Sequence, residues 1–319
     1  MIAIGNAWGE KRAIPNSDSP ELGTTFDTRG KTMKKVLLAT TALALSAGVA
    51  SAEMKLGGSG YVGMTGTTDD MAYDSRFQLQ FDGSAETDSG LTVNARARIR
   101  IGEAGVGIDD TDDFAAISQP RFDIAYDAIS LSLGNTADAI DANTNAYASC
   151  VGNVGDFCGD SFAGNGFDSN GDDDTADRVR INYTAGDFTL AASGQVDGGE
   201  DIAVSVSGKM GAVGMSVGYK VADIDDAAYA VDVNGSFGTV NAGLRYDQAA
   251  GADAIATLYG NTTFGATTVS AFVNNNDAVD GDDIYAWGVG ASYDLGGGIA
   301  LGGAIAEGSE AQAHMSFSF

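Results

Sequence analysis

Arginine is the residue whose spacing in this sequence most clearly indicates a shared chemical role. Arg96, Arg98 and Arg100 alternate with apolar residues, so they project from one face of a single β-strand. Four more arginines lie in other alternating segments: Arg76, Arg121, Arg178 and Arg180. A guanidinium keeps its charge at any physiological pH and presents a planar fork of donors. The pattern predicts a wall of fixed positive charge, or alternatively a ladder of cross-strand salt bridges with structural value alone.

Cysteine occurs only at positions 150 and 158. The sequence also carries an export signal, described below, so both thiols would meet an oxidising compartment. We predict a Cys150–Cys158 disulfide that closes a ring of nine residues. Two free thiols are the alternative, and two cysteines without a histidine are a poor metal site.

Acidic residues are dense between positions 168 and 174. Carboxylate and amide oxygens suit a hard cation, which makes a loose calcium site an alternative to a solvated acidic loop. The stretch departs from the EF-hand pattern, because Gly171 comes too early and Val179 stands where a glutamate is needed. The candidate ligands are Asp168, Asn170, Asp172 and Asp174.

The sequence contains none of the common catalytic signatures. It has a single histidine, His314, and no HExxH motif, phosphate-binding loop or dinucleotide-binding glycine fingerprint. We therefore predict that the protein is not an enzyme and requires no cofactor.

Composition narrows the class of protein further. The formal net charge is −27, which argues against nucleic acid as a partner. Hydrophobic residues make up 44% of the chain, which is too many for a disordered acidic tail. Glycine, alanine, serine, threonine and aspartate are abundant, as in proteins built from short strands and polar turns.

The N-terminal part of the chain has the features of a secretory signal. Met33-Lys34-Lys35 is followed by an uncharged segment, 36–50, and by the small-residue sequence Ala50-Ser51-Ala52. We interpret 33–52 as a signal peptide and 1–32 as an extension caused by start-site misassignment, with a genuine extended leader as the alternative. The segment is too short to span a membrane, which takes about 20 apolar residues. The folded part is then 53–319.

Period-two alternation runs through most of 53–319. The segment Leu91–Ile101 alternates without a break, with arginine on its polar face, so that face contacts water. We predict sixteen strands, at 55–66, 76–86, 91–101, 119–127, 129–135, 178–184, 187–196, 201–209, 212–221, 226–236, 238–247, 252–262, 265–275, 282–294, 297–307 and 309–319. An even number of strands near the length that crosses a bilayer favours an all-β fold, a 16-stranded antiparallel transmembrane β-barrel. A soluble β-sandwich or β-solenoid is the alternative.

The chain ends in an alternating strand, Ala311–Phe319, with a terminal phenylalanine. With the strand count, the arginine-rich polar faces and a long loop at 136–177, this ending resembles the general porins of alphaproteobacteria. The resemblance implies a homotrimer in the Gram-negative outer membrane, surrounded by lipid. It also implies that the loop after the fifth strand folds inward and narrows the pore. A loop lying over the mouth of the barrel is the alternative.

The resemblance leads to a specific pore model. Acidic residues of the loop would face the arginine wall: Asp138, Asp141, Asp156 and Asp160. We expect a water-filled channel for passive diffusion of small hydrophilic solutes and ions. The alternatives are a substrate-specific outer-membrane channel and a secreted calcium-binding β-protein or adhesin.

Overall fold

A computed structural model describes residues 52–102, 116–144, 149–152, 157–158, 178–196, 201–223, 226–249, 251–275 and 286–319. The predicted extension at 1–32 lies outside the described residues, as does the predicted signal peptide at 33–52 except for Ala52. Both therefore stay predictions.

The described chain forms one antiparallel β-barrel of sixteen strands. In chain order these are β1 Glu53–Thr67, β2 Asp70–Glu86, β3 Thr92–Ile101, β4 Ala116–Ile117 with Arg121–Tyr126, β5 Ile129–Gly134, β6 Arg178–Ala185, β7 Phe188–Gln195, β8 Ile202–Met210, β9 Val213–Asp223, β10 Asp226–Phe237, β11 Val240–Gln248, β12 Ile255–Phe264, β13 Thr267–Asn274, β14 Trp287–Gly296, β15 Ile299–Ala306 and β16 Glu310–Ser318.

Each strand pairs with the next along the chain, and the last pairs with the first. In that closing pair Gly63 of β1 lies opposite His314 of β16. The terminal residue continues the ladder, because Gly58 and Phe319 exchange two backbone hydrogen bonds of 3.0 Å. The ring is therefore closed, and the predicted 16-stranded antiparallel barrel is confirmed.

Most predicted boundaries agree with the structure to within three residues, but three strands differ. β14 begins at Trp287, whereas its predicted start at 282 lies outside the described residues. β2 begins at Asp70, six residues before the predicted start at 76, because 70–75 pair with the end of β1. β4 is interrupted at 118–120. Arg100 pairs with Ala116 and Arg96 with Arg121, so β4 has one more residue than β3 between these pairs. This is a β-bulge at Pro120, which has no N–H to contribute to the ladder.

Burial in the barrel is the reverse of that in a water-soluble protein. On β11, Arg245 and Asp247 are fully buried, whereas Leu244 and Tyr246 are exposed. The same alternation on β8 buries Ala203 and Ser205 and exposes valines on the other face. Only an apolar environment around the barrel makes this arrangement favourable, since a lipid-exposed band is apolar and the interior is polar. The polar face of every strand therefore points inward.

Helical structure is sparse in the described chain. It comprises α1, Ala139–Asn143, and a 3₁₀ turn, Glu307–Ser309. Among the described residues, neither helix has the length and apolar character needed to cross a bilayer. α1 belongs to the connection after β5, which is the long loop predicted at 136–177.

Candidate functional site

The three arginines of β3 form a row on its polar face. Arg96, Arg98 and Arg100 are half-buried and lie opposite Asp82, Gln80 and Gln78 of β2. Arg96 Nε lies 2.6 Å from Asp82 Oδ1, and Arg100 Nη2 lies 3.5 Å from Gln78 Oε1. The alternation in the sequence predicted this shared face correctly.

Two further arginines extend the row on the neighbouring strands. Arg121 of β4 lies opposite Arg96 and makes a 2.7 Å ion pair with Asp123. Arg76 of β2 has its guanidinium 5.0 Å from the centre of the Tyr61 ring, which is a cation–π contact. We call these five residues the basic wall: Arg76, Arg96, Arg98, Arg100 and Arg121.

Arg178 and Arg180 of β6 are in a different environment from the basic wall, because both are buried. Arg178 Nη1 donates to the carbonyl oxygen of Thr136 at 3.1 Å, and Arg180 Nη1 donates to that of Ala137 at 2.6 Å. Both guanidinium groups therefore hold the first residues of the connection after β5. Alternation in the sequence alone does not distinguish Arg178 and Arg180, which contact the loop, from the arginines of the basic wall.

α1 follows directly and packs on the polar face of β7 to β9. The backbone N–H of Ala139 donates to Ser193 Oγ at 2.9 Å, and Ser205 Oγ donates to the carbonyl oxygen of Ala139 at 2.6 Å. Ile140 is fully buried against Gly218, where the strand has no side chain. Residues 139–140 of the predicted 136–177 loop are thus fixed to the inner face of β7 to β9 by side-chain hydrogen bonds and apolar packing.

Asp138 begins α1 and is almost fully buried. Its Oδ1 accepts from the N–H of Asp141 at 2.9 Å, which caps the helix, and its Oδ2 lies 3.7 Å from Lys220 Nζ. Asp201 lies between two cations, 3.6 Å from Arg178 and 3.9 Å from Lys220. Lys220 and Asp201 were not predicted as site residues, because nothing in their local pattern indicates which part of the loop they contact.

Asp141 lies one turn further along, with part of its side chain exposed. Burial raises the pKa of its carboxyl, and the nearby carboxylate of Asp138 raises it further, while Arg245 and Arg180 oppose the shift. Asp141 is therefore an acidic group that stays protonated to a higher pH than an ordinary aspartate.

The two cysteines form a disulfide, as predicted. The segments that carry it, 149–152 and 157–158, join through a 2.9 Å backbone hydrogen bond from Val151 to Phe157. Val151 and Phe157 belong to a buried cluster that also contains Tyr259, Phe272, Ala304 and Ala306. The loop after β5 therefore contacts the inner face of the barrel at a second place, on β12, β13 and β15.

A second buried charged network lies between these two contacts, on β10 to β12. Asp232, Arg245 and Asp247 are fully buried. Tyr259 Oη donates to Asp232 at 2.6 Å, and Arg245 Nε lies 3.3 Å from Asp247. Arg245 lies in the predicted alternating strand 238–247 but was not predicted to have a role. The signal was present, since a single arginine within an apolar alternation must lie on the inner face.

The remaining predicted site residues fall outside the described residues: Asp156, Asp160, Asp168, Asn170, Asp172 and Asp174. Across the part of the chain that the structure describes, no group of three or more His, Cys, Asp or Glu side chains is placed to hold a metal ion. The calcium site at 168–174 and the acidic roles of Asp156 and Asp160 stay predictions.

Comparisons with known proteins agree with this architecture. A family model for Gram-negative porins matches residues 39–312. A porin of Fuscovulum blasticum is 28% identical over 283 residues, covering 80% of this chain and 95% of that protein. A porin of Rhodobacter capsulatus is 29% identical over 292 residues, covering 80% and 94%.

A solved structure shares the fold. It is a triple mutant of the Rhodopseudomonas blastica porin, with a TM-score of 0.72 and 24% identity, and the match covers 84% of this chain and all of that one. The resemblance to alphaproteobacterial porins is thereby confirmed. The chain belongs to the family of Gram-negative porins.

Proposed function

We propose that this outer-membrane porin conducts small hydrophilic solutes and ions by passive diffusion, through an eyelet between the basic wall and the loop after β5. The observation that carries the proposal is the row of Arg96, Arg98 and Arg100 on the inward face of β3. Charged side chains at this density are costly in lipid, at about 2–4 kcal/mol per arginine at mid-bilayer, and favourable beside water.

The positions of the loop contacts support this geometry. The described loop residues are fixed to β6–β9 and to β12–β15, whereas the basic wall lies on β2–β4. We assign Arg178 and Arg180 to holding the loop, and the five arginines of the basic wall to lining the path. Of the predicted acidic residues, Asp138 is buried beside Lys220. We assign the acidic side to Asp141 and to Asp156 and Asp160, the last two of which lie outside the described residues. Opposite charges across the narrowest point produce a transverse field that favours polar solutes.

Two effects compete in the ion selectivity of such a channel. The net charge of −27 raises the cation concentration at the mouths, while the basic wall favours anions locally. Exposed charges are screened beyond a Debye length of about 8 Å at physiological salt. We therefore expect mild cation selectivity at low salt that weakens as salt rises.

We also infer that the protein assembles as a homotrimer, from its resemblance to the general porins. We infer that the channel carries out no covalent chemistry. A substrate-specific channel is not favoured. The folded trimer should migrate on detergent gels as a heat-modifiable band.

Replacing Arg96, Arg98 and Arg100 together with glutamine tests the proposed eyelet. Removing three positive charges should raise both cation preference and conductance, measured as the zero-current potential across a salt gradient and as single-channel conductance in planar bilayers. A matched triple lysine variant keeps the charges and should retain the wild-type potential. An unchanged potential in the glutamine variant would show that these side chains do not line the constriction.

A further inference from the structure

His314 is the only histidine of the chain and is buried on the inner face of β16. Its Nε2 lies 3.1 Å from Oδ2 of Asp74, which is itself buried on β2. These two strands are not neighbours, because β1 runs between them and pairs with both. The contact therefore links the last strand to the second strand, across the seam where the barrel closes.

Gly63 of β1 makes this contact sterically feasible. It is the register partner of His314 on one side and of Asp74 on the other. A Cβ at this position would overlap the imidazole ring of His314 and the carbonyl oxygen of Ala313. Only glycine lets the ring lie across β1 and reach the carboxylate beyond it.

The second ring nitrogen also faces an oxygen atom. His314 Nδ1 lies 3.0 Å from Oε1 of Gln312, two residues earlier on the same face. Both ring nitrogens therefore have a hydrogen-bond partner. The carboxylate of Asp74 accepts from Nε2, and the side-chain amide of Gln312, which has both a donor and an acceptor, bonds to Nδ1.

The carboxylate of Asp74 has a further hydrogen-bond partner in the same place. Asp74 Oδ1 also accepts from Tyr61 Oη at 3.3 Å, and the Tyr61 ring meets the imidazole edge-on, with centroids 5.1 Å apart. Arg76 lies on the same face of β2, over the Tyr61 ring. On the other side β15 contributes Gly302 and Ala304, the partners of His314 and Gln312, neither of which is charged. A buried carboxylate is costly unless it is paired and hydrogen-bonded.

We propose that His314 is a clasp that holds the barrel closed, joining β16 to Asp74 of β2 across Gly63. The contact links two strands that share no backbone hydrogen bonds, so it stabilises the closed ring in addition to the ladders of the adjacent pairs. Removing the imidazole would leave the buried carboxylate of Asp74 without this hydrogen bond, which is costly.

Nitrogen NMR of the folded protein, labelled with ¹⁵N in histidine and purified in detergent, tests the hydrogen bond to Asp74 directly. With a single histidine in the chain, the spectrum of the folded protein contains one imidazole. We expect Nε2 to carry a proton that exchanges slowly with solvent, because it is buried and bonded to Asp74. An Nε2 without a proton, or with one that exchanges at once, would overturn the proposal, and this measurement needs no variant.

The contribution to closure is tested by heating the protein at one pH and following the folded band on gels. H314Q and D74N should each lower the midpoint by roughly 2–4 °C or more. The double variant H314Q/D74N should lose less than the sum of the two, because each single variant already breaks the contact. D253N, which removes an exposed carboxylate, is the control and should keep the wild-type midpoint. A wild-type midpoint in H314Q, or additive losses in the double variant, would show that His314 does not hold the seam.

Discussion

Lys220 of β9 lies 3.7 Å from the carboxylate of Asp138, the residue that caps α1, and both side chains are nearly fully buried. The two residues are far apart in the sequence, so the ion pair fixes the start of the loop to a distant strand. Removing Lys220 takes this cation away from the buried carboxylate of Asp138, and breaking a buried pair in this way costs about 3–5 kcal/mol, whereas removing Asp138 leaves Lys220 its second contact with Asp201.

We therefore expect K220M to lower the thermal midpoint of the folded barrel markedly. D138N keeps the helix cap, since asparagine caps as well as aspartate. The double variant K220M/D138N should lose less than the sum of the two single variants, because the charges compensate each other. K209M replaces an exposed lysine of β8 and is the matched control. Additive effects would mean that the pair is not coupled.

Gly218 of β9 provides a second test of how α1 is held. A Cβ at this position would lie 2.8 Å from Cγ1 of the buried Ile140. A β-branched side chain in a packed site has little freedom to move away, and such overpacking typically costs about 1–3 kcal/mol. G218A should lower the thermal midpoint and change single-channel conductance by displacing α1.

G83A is the control for that variant, because a Cβ at Gly83 of β2 meets no atom within 4 Å. It should leave conductance unchanged and stability equal or slightly raised, since alanine lowers the entropy of the unfolded chain. A G218A channel with normal conductance and stability would show that α1 tolerates the extra methyl group.

The disulfide closes a ring of nine residues, from Cys150 to Cys158. Chain entropy predicts that it contributes about 2–3 kcal/mol to stability. The double variant C150S/C158S should unfold at a lower temperature and show noisier single-channel current, because the segment packed on β12 and β13 is less restrained. Reducing agent should reproduce both effects in the wild type and change nothing in the serine variant. Wild-type current noise in C150S/C158S would mean that packing alone restrains the loop.

Asp141 makes the proposed eyelet sensitive to pH. Burial and the neighbouring Asp138 raise its pKa, so the folded state retains a proton that the unfolded state loses. The corresponding stability is present at low pH and is lost as pH rises from the ordinary aspartate value to the raised one. Over the same interval the eyelet gains a negative charge, so cation preference should increase with pH.

The zero-current potential measured as a function of pH checks this expectation. D141N should remove the increase in that interval. D253N makes the same change of charge on an exposed connection after β11 and should keep the increase of cation preference with pH. The same pH dependence in D141N and the wild type would place Asp141 away from the ion path.

Strand positions could be predicted because a two-residue period needs only local information. The segment Leu91–Ile101 shows this well, since β3 occupies Thr92–Ile101. β2 was predicted six residues too short, because Ala72 and Ser75 blur the alternation that continues back to Asp70. The bulge in β4 could have been anticipated from Pro120.

The contacts of the loop could not be predicted in this way. Lys220 lies within an ordinary strand pattern, and only closure of the ring decides that its side chain meets Asp138. The same holds for His314 and Asp74, which come from opposite ends of the barrel sequence. Alternation assigns a residue to a face, whereas its partner on that face depends on the register of every intervening strand.

The pairing of Gly58 with Phe319 makes the two ends of the barrel sequence neighbours in the ladder. In the folded ring, the place where the chain begins is thus structurally arbitrary. A short linker from Phe319 to Glu53, with new ends at the turn of Gly238 and Thr239, would give a circular permutant with the same sixteen strand pairs. Its last strand would be β10, and its last residue would be Gly238 in place of a phenylalanine. Comparing folding and membrane insertion of this permutant with those of the wild type would therefore measure what the terminal phenylalanine contributes to insertion.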